Sequence, residues 1–208
     1  MILVNGAVGI GTGFSTNIPS YNPKTIVQYL TCKLNNEDTD HIEFIPWYKN
    51  FKGEIDIDND DSTLFNIKGK YTIEKNHSIH ITELPVGVWT DSYKNFLEKC
   101  MESKGKTKGW IKEYKDQSTD TIVDFTIVLQ NDVREKLITD KPKLEKSLGL
   151  VVTKRISNMH AFDEKQQLKK FNSPQSIIDH YLPIRLHYYK LRKESKLKSL
   201  RNECKILT

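Results

Sequence analysis

The sequence predicts an α+β fold, a strand-rich body with peripheral helices followed by a long C-terminal helix. Three observations carry this. Residues 53–58 and 121–129 alternate apolar and polar side chains, the period of a strand with one buried face. Residues 23–30 and 91–101 instead place apolar side chains three and four apart, as a helix with one packed face requires. From Ser173 the helical pattern runs to the end and turns basic: between Asp179 and Lys205 stand eight Lys or Arg against three acids.

The 208 residues, 37% hydrophobic and 28% charged, have room for one large domain or two small ones. No run approaches the roughly 18 apolar residues of a membrane span, and residues 1–8 lack the basic start of a signal peptide. Cys32, Cys100 and Cys204 are far apart and form no Cys-x-x-Cys pair, which fits a reducing compartment. The sequon Asn76-His77-Ser78 is then accidental. A net charge of +5 is a mild pull towards a polyanionic partner.

In chain order, Ile2-Leu3-Val4 reads as a short buried strand already in mid-element, as in a piece of a longer chain. It enters a glycine-dense loop, Gly6 to Gly13. Asn22 is an N-cap with Pro23 at the first helical position, and Ile26, Val27 and Leu30 share one face. Residues 35–40 make a polar turn. Strands follow at 53–58 (Ile55 and Ile57 on one face), 64–74 and 78–84, punctuated by Gly69 and by Asn76-His77. Tyr93, Phe96, Leu97 and Cys100 line one side of helix 91–101. A strand at 121–129, short helices at 132–138 and 142–148, and strands at 150–156 and 159–162 complete the body. Ser173 caps the last helix, with Pro174 first in it, and Pro183 should kink or restart it. Leu197, Leu200, Cys204 and Leu207 stand at 3-4-3 spacing, the beginning of a coiled-coil seam.

Few residues read as chemistry. The glycine loop is followed by no Gly-Lys-Ser/Thr and lacks the dinucleotide spacing, so it is no nucleotide cradle. Glycine also permits close backbone approach to a bulky partner, and Gly9 and Gly11 flank the stiff, β-branched Ile10. From residues alone Ile10 is either core in a glycine-rich turn or an apolar wedge of the kind that unstacks a base step. Trp89, at a strand's end, is either core or a group that packs on a sugar and donates N–H to a phosphate, with Thr90 adding a hydroxyl. Lys49 and Lys52 flank a hairpin, solvated or neutralising phosphates. Asp56/Asp58 and Asp60/Asp61 read as strand and turn acids. His77 and His80 would point to opposite faces of a strand and hold no metal.

Four ordered blocks carry a resemblance to a known family. They are the opening segment from Ile2 through Gly9-Ile10-Gly11 to Pro23, Pro46-Trp-Tyr-Lys-Asn-Phe-Lys-Gly53, Ile81-Thr-Glu-Leu-Pro-Val-Gly-Val-Trp-Thr90, and Arg185-Leu-His-Tyr-Tyr-Lys-Leu-Arg-Lys193. Together they resemble the eukaryotic-type type IIA DNA topoisomerases (topoisomerase II), over nearly the whole chain. The resemblance implies that residues 1–22 end the winged-helix region and carry a DNA-wedge loop. It likewise makes 23–172 a tower domain and 173–208 the start of a coiled-coil arm. It implies a DNA-binding and DNA-bending segment of an ATP-dependent enzyme that passes one duplex through a transient double-strand break in another. Ile10 would be the intercalating wedge, and Trp89, Thr90, Gly9, Gly11, Lys49 and Lys52 would contact DNA. The catalytic tyrosine with its arginine, the acidic magnesium site and the ATP site would all lie upstream of Met1. Mg²⁺ and ATP would therefore serve the complete enzyme, a homodimer on double-stranded DNA, and neither would bind here. The expected location is the nucleus, or the cytoplasm or virion for a viral source. Val8 departs from the family's usual acid, Gly87 from a larger or basic residue, and Pro183 enters the arm helix. The rival reading is a self-standing, non-enzymatic DNA-architectural or scaffold protein.

Overall fold

The computed structural model describes residues 1–58, 61, 63–74, 77–102 and 109–207. Asn59, Asp60 and Asn76, which the sequence places in turns, and Thr208 lie outside the described residues. The chain divides into two compact units, one of residues 1–44 with 157–208, the other of residues 45–156. The functional segments expected from the sequence, bounded at 22/23 and 172/173, cut the chain elsewhere.

In the first unit, Ile2-Leu-Val-Asn5 forms a single helical turn, α1, and not the expected strand. Its apolar β-formers resemble a strand, but Leu3 is buried and its carbonyl accepts from the Tyr21 backbone N–H at 2.7 Å, a tertiary bond that sequence cannot foretell. The glycine loop is also regular. β1 (Ala7–Gly11) and β2 (Phe14–Ile18) form an antiparallel hairpin in which Gly11 faces Phe14, Ile10 faces Ser15 and Gly9 faces Thr16. Gly13 closes its two-residue loop at φ +81°, a left-handed value that costs glycine little.

α2 (Pro23–Asn35) starts as read: the Asn22 side chain accepts from the Lys24 N–H at 2.9 Å and Pro23 sits in the first turn. Its buried Tyr29 packs edge-on to Phe44, as does Tyr21. β10 (Met159–Phe162) and β11 (Leu168–Phe171) make a second hairpin. α6 (Pro174–Leu207) begins where Ser173 accepts from the Ser176 N–H at 3.1 Å. It runs unbroken through Pro183, so the expected restart does not occur. Pro183 deprives the Asp179 carbonyl of its helical partner. The Asp179 side chain is held by the Tyr29 hydroxyl at 3.1 Å and by Lys33 at 3.4 Å, so α2 grips the helix at the broken rung.

Among its described residues the second unit holds two antiparallel sheets. β3 (Glu54–Ile57), β4 (Leu64–Lys68) and β9 (Val151–Arg155) form one, in the order β3-β4-β9. β5 (Lys70–Ile73), β6 (Ile79–Glu83), β7 (Ile111–Asp116) and β8 (Phe125–Leu129) form the other, in the order β5-β6-β8-β7. The strand read at 64–74 is thus two strands in two sheets, parted at Gly69. A side chain there would strike the Glu83 carbonyl, so only glycine lets the chain cross. Ile79, Ile81, Phe125, Ile127 and Leu129 alternate inward and meet Tyr93 and Leu97 of α3 (Thr90–Met101). Leu137 of α4 (Asn131–Thr139) and Leu144 of α5 (Lys141–Ser147) join this core. The Tyr93 hydroxyl donates to the Leu148 carbonyl at 2.9 Å, so its burial leaves no orphan donor.

Candidate nucleic-acid interface

In the first unit, the β1–β2 hairpin has two unlike faces. Ala7, Gly9 and Gly11 share one with Phe14, Thr16 and Ile18, since paired residues point the same way. Ile18 on that face is buried and Thr16 half-buried. Val8 and Ile10 occupy the other face and are bare, 83% and 93% exposed. Ile10 is therefore not core.

The glycines beside it have no internal explanation. A Cβ on Gly9 would come no nearer than 3.9 Å to Thr16 Cγ2, and one on Gly11 3.7 Å from the Phe14 carbonyl oxygen, ordinary contacts. Neither has a left-handed backbone. Gly6 contrasts with both: at φ +71° its Cβ would lie 2.9 Å from the Ile18 carbonyl oxygen. A stiff aliphatic on bare backbone suits entry between flat apolar surfaces. Phe14, 60% exposed and tilted against the His160 ring at 6.4 Å, adds an aromatic that no sequence pattern singles out.

In the second unit, Trp89 caps α3 from an extended conformation and is 76% exposed, which excludes it from the core. Thr90 is the first residue of α3 and half-buried. The expected strand end is instead a turn. The Val88 N–H donates to the Pro85 carbonyl at 3.0 Å, and Gly87 holds φ +96° at the position where a type II turn demands it. The same bare glycine leaves room for the Lys154 ammonium, 3.3 Å from where its Cβ would stand.

Lys49 and Lys52 are exposed and precede the β3–β4 hairpin. Lys49 lies in a turn closed by the Phe51 N–H on the Tyr48 carbonyl at 3.2 Å, with Asn50 left-handed at φ 66°, and Lys52 follows it on the way into β3. His77 sits in the expected turn at φ 63°, so it shares no strand with His80, which on β6 faces Asp124 at 3.0 Å. Among the described residues no three His, Cys, Asp or Glu side chains are grouped to hold a metal ion. No helix among them is long and apolar enough to cross a membrane. On α6, Leu197, Leu200 and Cys204 remain exposed, so the 3-4-3 seam lies open.

The family model for the DNA gyrase/topoisomerase IV A-subunit matches residues 1–208. The chain belongs to this family. Within it, the chain is 36% identical over 204 residues to DNA topoisomerase 2 of Arabidopsis thaliana, covering 97% of this chain and 13% of that protein. It is 38% identical over 196 residues to DNA topoisomerase 2-alpha of Gallus gallus, covering 93% of this chain and 12% of that one. The fold is similar to the crystal structure of the Plasmodium falciparum topoisomerase II DNA-binding, cleavage and re-ligation domain. That match has a TM-score of 0.86 at 34% identity and covers 97% of this chain and 26% of the other. The chain thus spans about an eighth of the length of these topoisomerase 2 relatives.

Proposed function

We propose that this chain is the DNA-binding and DNA-bending segment of an ATP-dependent type II DNA topoisomerase. Residues 1–22 end a winged-helix region and carry the wedge, 23–172 form the tower, and 173–208 begin the coiled-coil arm. Ile10 enters a base step of duplex DNA, with Gly9 and Gly11 bare so that the backbone can approach. Trp89, Thr90, Lys49 and Lys52 bind phosphate and sugar without reading sequence. The observation that supports this best is Ile10 itself, 93% exposed between two glycines that the fold does not require. In this reading Mg²⁺ and ATP serve other parts of the homodimeric enzyme, and the chain's own task is to deform the duplex. It acts where duplex DNA is kept, the nucleus, or the cytoplasm or virion of a viral system.

Unstacking a base step costs a few kcal/mol, which the added contacts of a bent duplex offset. Alanine is too short to hold the step open. Ile10→Ala should therefore reduce bending of an end-labelled duplex, read by energy transfer, far more than it reduces binding. An unchanged bend at saturation would refute the wedge.

A further inference from the structure

We propose that Thr16, Asn158 and His160 are positioning residues that brace the β1–β2 hairpin, so that Ile10 can hold a base step open without being pushed back. This rests on the reading of Ile10 as a wedge. A two-stranded hairpin is marginal alone in water, and unstacking DNA loads it from its tip. β2 is tied to β10 and the residues before it by one backbone bond and by side chains standing in for the rest of a ladder. The Thr16 hydroxyl donates to the His160 carbonyl at 2.8 Å and accepts from the His160 N–H at 3.1 Å. One hydroxyl thus satisfies both backbone groups of a β10 residue. The Asn158 carbonyl accepts from the Asn17 N–H at 2.7 Å, and its side-chain amide donates to Ser15 Oγ at 2.6 Å. The amide oxygen of Asn158 in turn meets His160 Nδ1 at 2.8 Å. An amide oxygen only accepts, so Nδ1 carries the proton. The imidazole is thereby fixed in the orientation that puts its ring against Phe14. Ser15, Thr16 and Asn17, three consecutive residues of β2, are all held. Ser15 is the residue that faces Ile10.

The test separates resistance to the DNA's push from folding. Thr16→Val keeps the shape and removes the hydroxyl; Thr16→Ser restores it. With duplex at saturation, Thr16→Val should lower the ratio of bent to unbent bound DNA by about tenfold, the worth of one or two hydrogen bonds. Affinity should change much less, and Thr16→Ser should regain most of the bend. Asn158→Ala, which frees Ser15 and the imidazole but leaves Thr16 intact, should give a smaller loss of the same kind. It serves if Thr16→Val proves too unstable by melting. A bend unchanged in both variants, or equally lost in Thr16→Ser, would overturn the brace. Ile10→Ala measured alongside tells the cases apart: if it keeps the bend, the wedge itself has failed. If it loses the bend while the brace variants keep it, only the brace has.

Discussion

Shortening an aliphatic side chain has opposite consequences at Leu3 and at Ile10. Leu3 is 5% exposed, and Leu3→Ala should cost about 2–5 kcal/mol in a melting experiment, the usual loss for a truncated core residue. Ile10 is exposed in the free protein, so Ile10→Ala should leave the melt nearly unmoved and act only once DNA is bound. A melting loss at Ile10 on the scale of Leu3 would show it to be packing. Trp89 follows the same logic. Trp89→Ala removes an indole that makes little of the core, so stability should hold. Affinity for duplex should fall about tenfold, the worth of one hydrogen bond to a charged phosphate. A large stability loss with unchanged affinity would reverse the assignment. Neither exposure is legible in the residues, because isoleucine and tryptophan are ordinary core residues. The flanking Gly9 and Gly11 are the legible signal, and only coordinates show that the fold does not need them.

At the level of elements, legibility follows the polarity and spacing of side chains. β8 and β6 are readable because one face is buried and their residues alternate. β7, Ile-Lys-Glu-Tyr-Lys-Asp, and β11, Leu-Lys-Lys-Phe, carry no such signal. Their polar residues equal or outnumber the apolar ones, and pairing with a neighbouring strand, which the residues alone do not reveal, makes them strands. α1 misleads for the converse reason, its β-branched residues being overruled by a tertiary hydrogen bond. α6 is legible at its cap and along its basic stretch, but not at Pro183. There Tyr29 and Lys33 of α2 hold the Asp179 carboxylate at the turn where the helix lacks a rung. Pro183→Ala should therefore restore the bond to the Asp179 carbonyl and remove the ring clash. An interior proline costs about 3 kcal/mol in a helix, and up to about 1 kcal/mol of that gain is lost to a freer unfolded chain. A net stabilisation of about 2 kcal/mol, read as a higher melting midpoint of the helical circular-dichroism signal, is expected. A lower midpoint would mean that Pro183 is required by its surroundings.

For the whole chain, the contacts proposed are to the DNA backbone and to shape, so binding should be nearly independent of sequence and steep in salt. Lys49 and Lys52 alone predict a log–log slope of about −2, and replacing both by alanine should flatten the dependence by about that much. Cleavage should be absent even when binding is saturated. Transesterification needs a tyrosine activated at its hydroxyl, with electrostatic stabilisation of the phosphoryl group under attack. None of the nine tyrosines follows an arginine in sequence. Tyr189 has the Arg185 guanidinium beside it in space, 4.4 Å from its ring centre and near enough to the phenol oxygen that the pair raises the pKa of Arg185. Tyr29, Tyr71 and Tyr93 are turned to Asp179, Glu145 and the Leu148 carbonyl, all acceptors, and burial raises the pKa of each phenol. A phenol that donates to an acceptor and resists ionisation is a poor nucleophile. The 208-residue chain, mixed with supercoiled plasmid, Mg²⁺ and ATP, should form no covalent protein–DNA adduct and relax nothing. An adduct that survives denaturant would refute this, and its loss in Tyr189→Phe would place the reactive hydroxyl on α6.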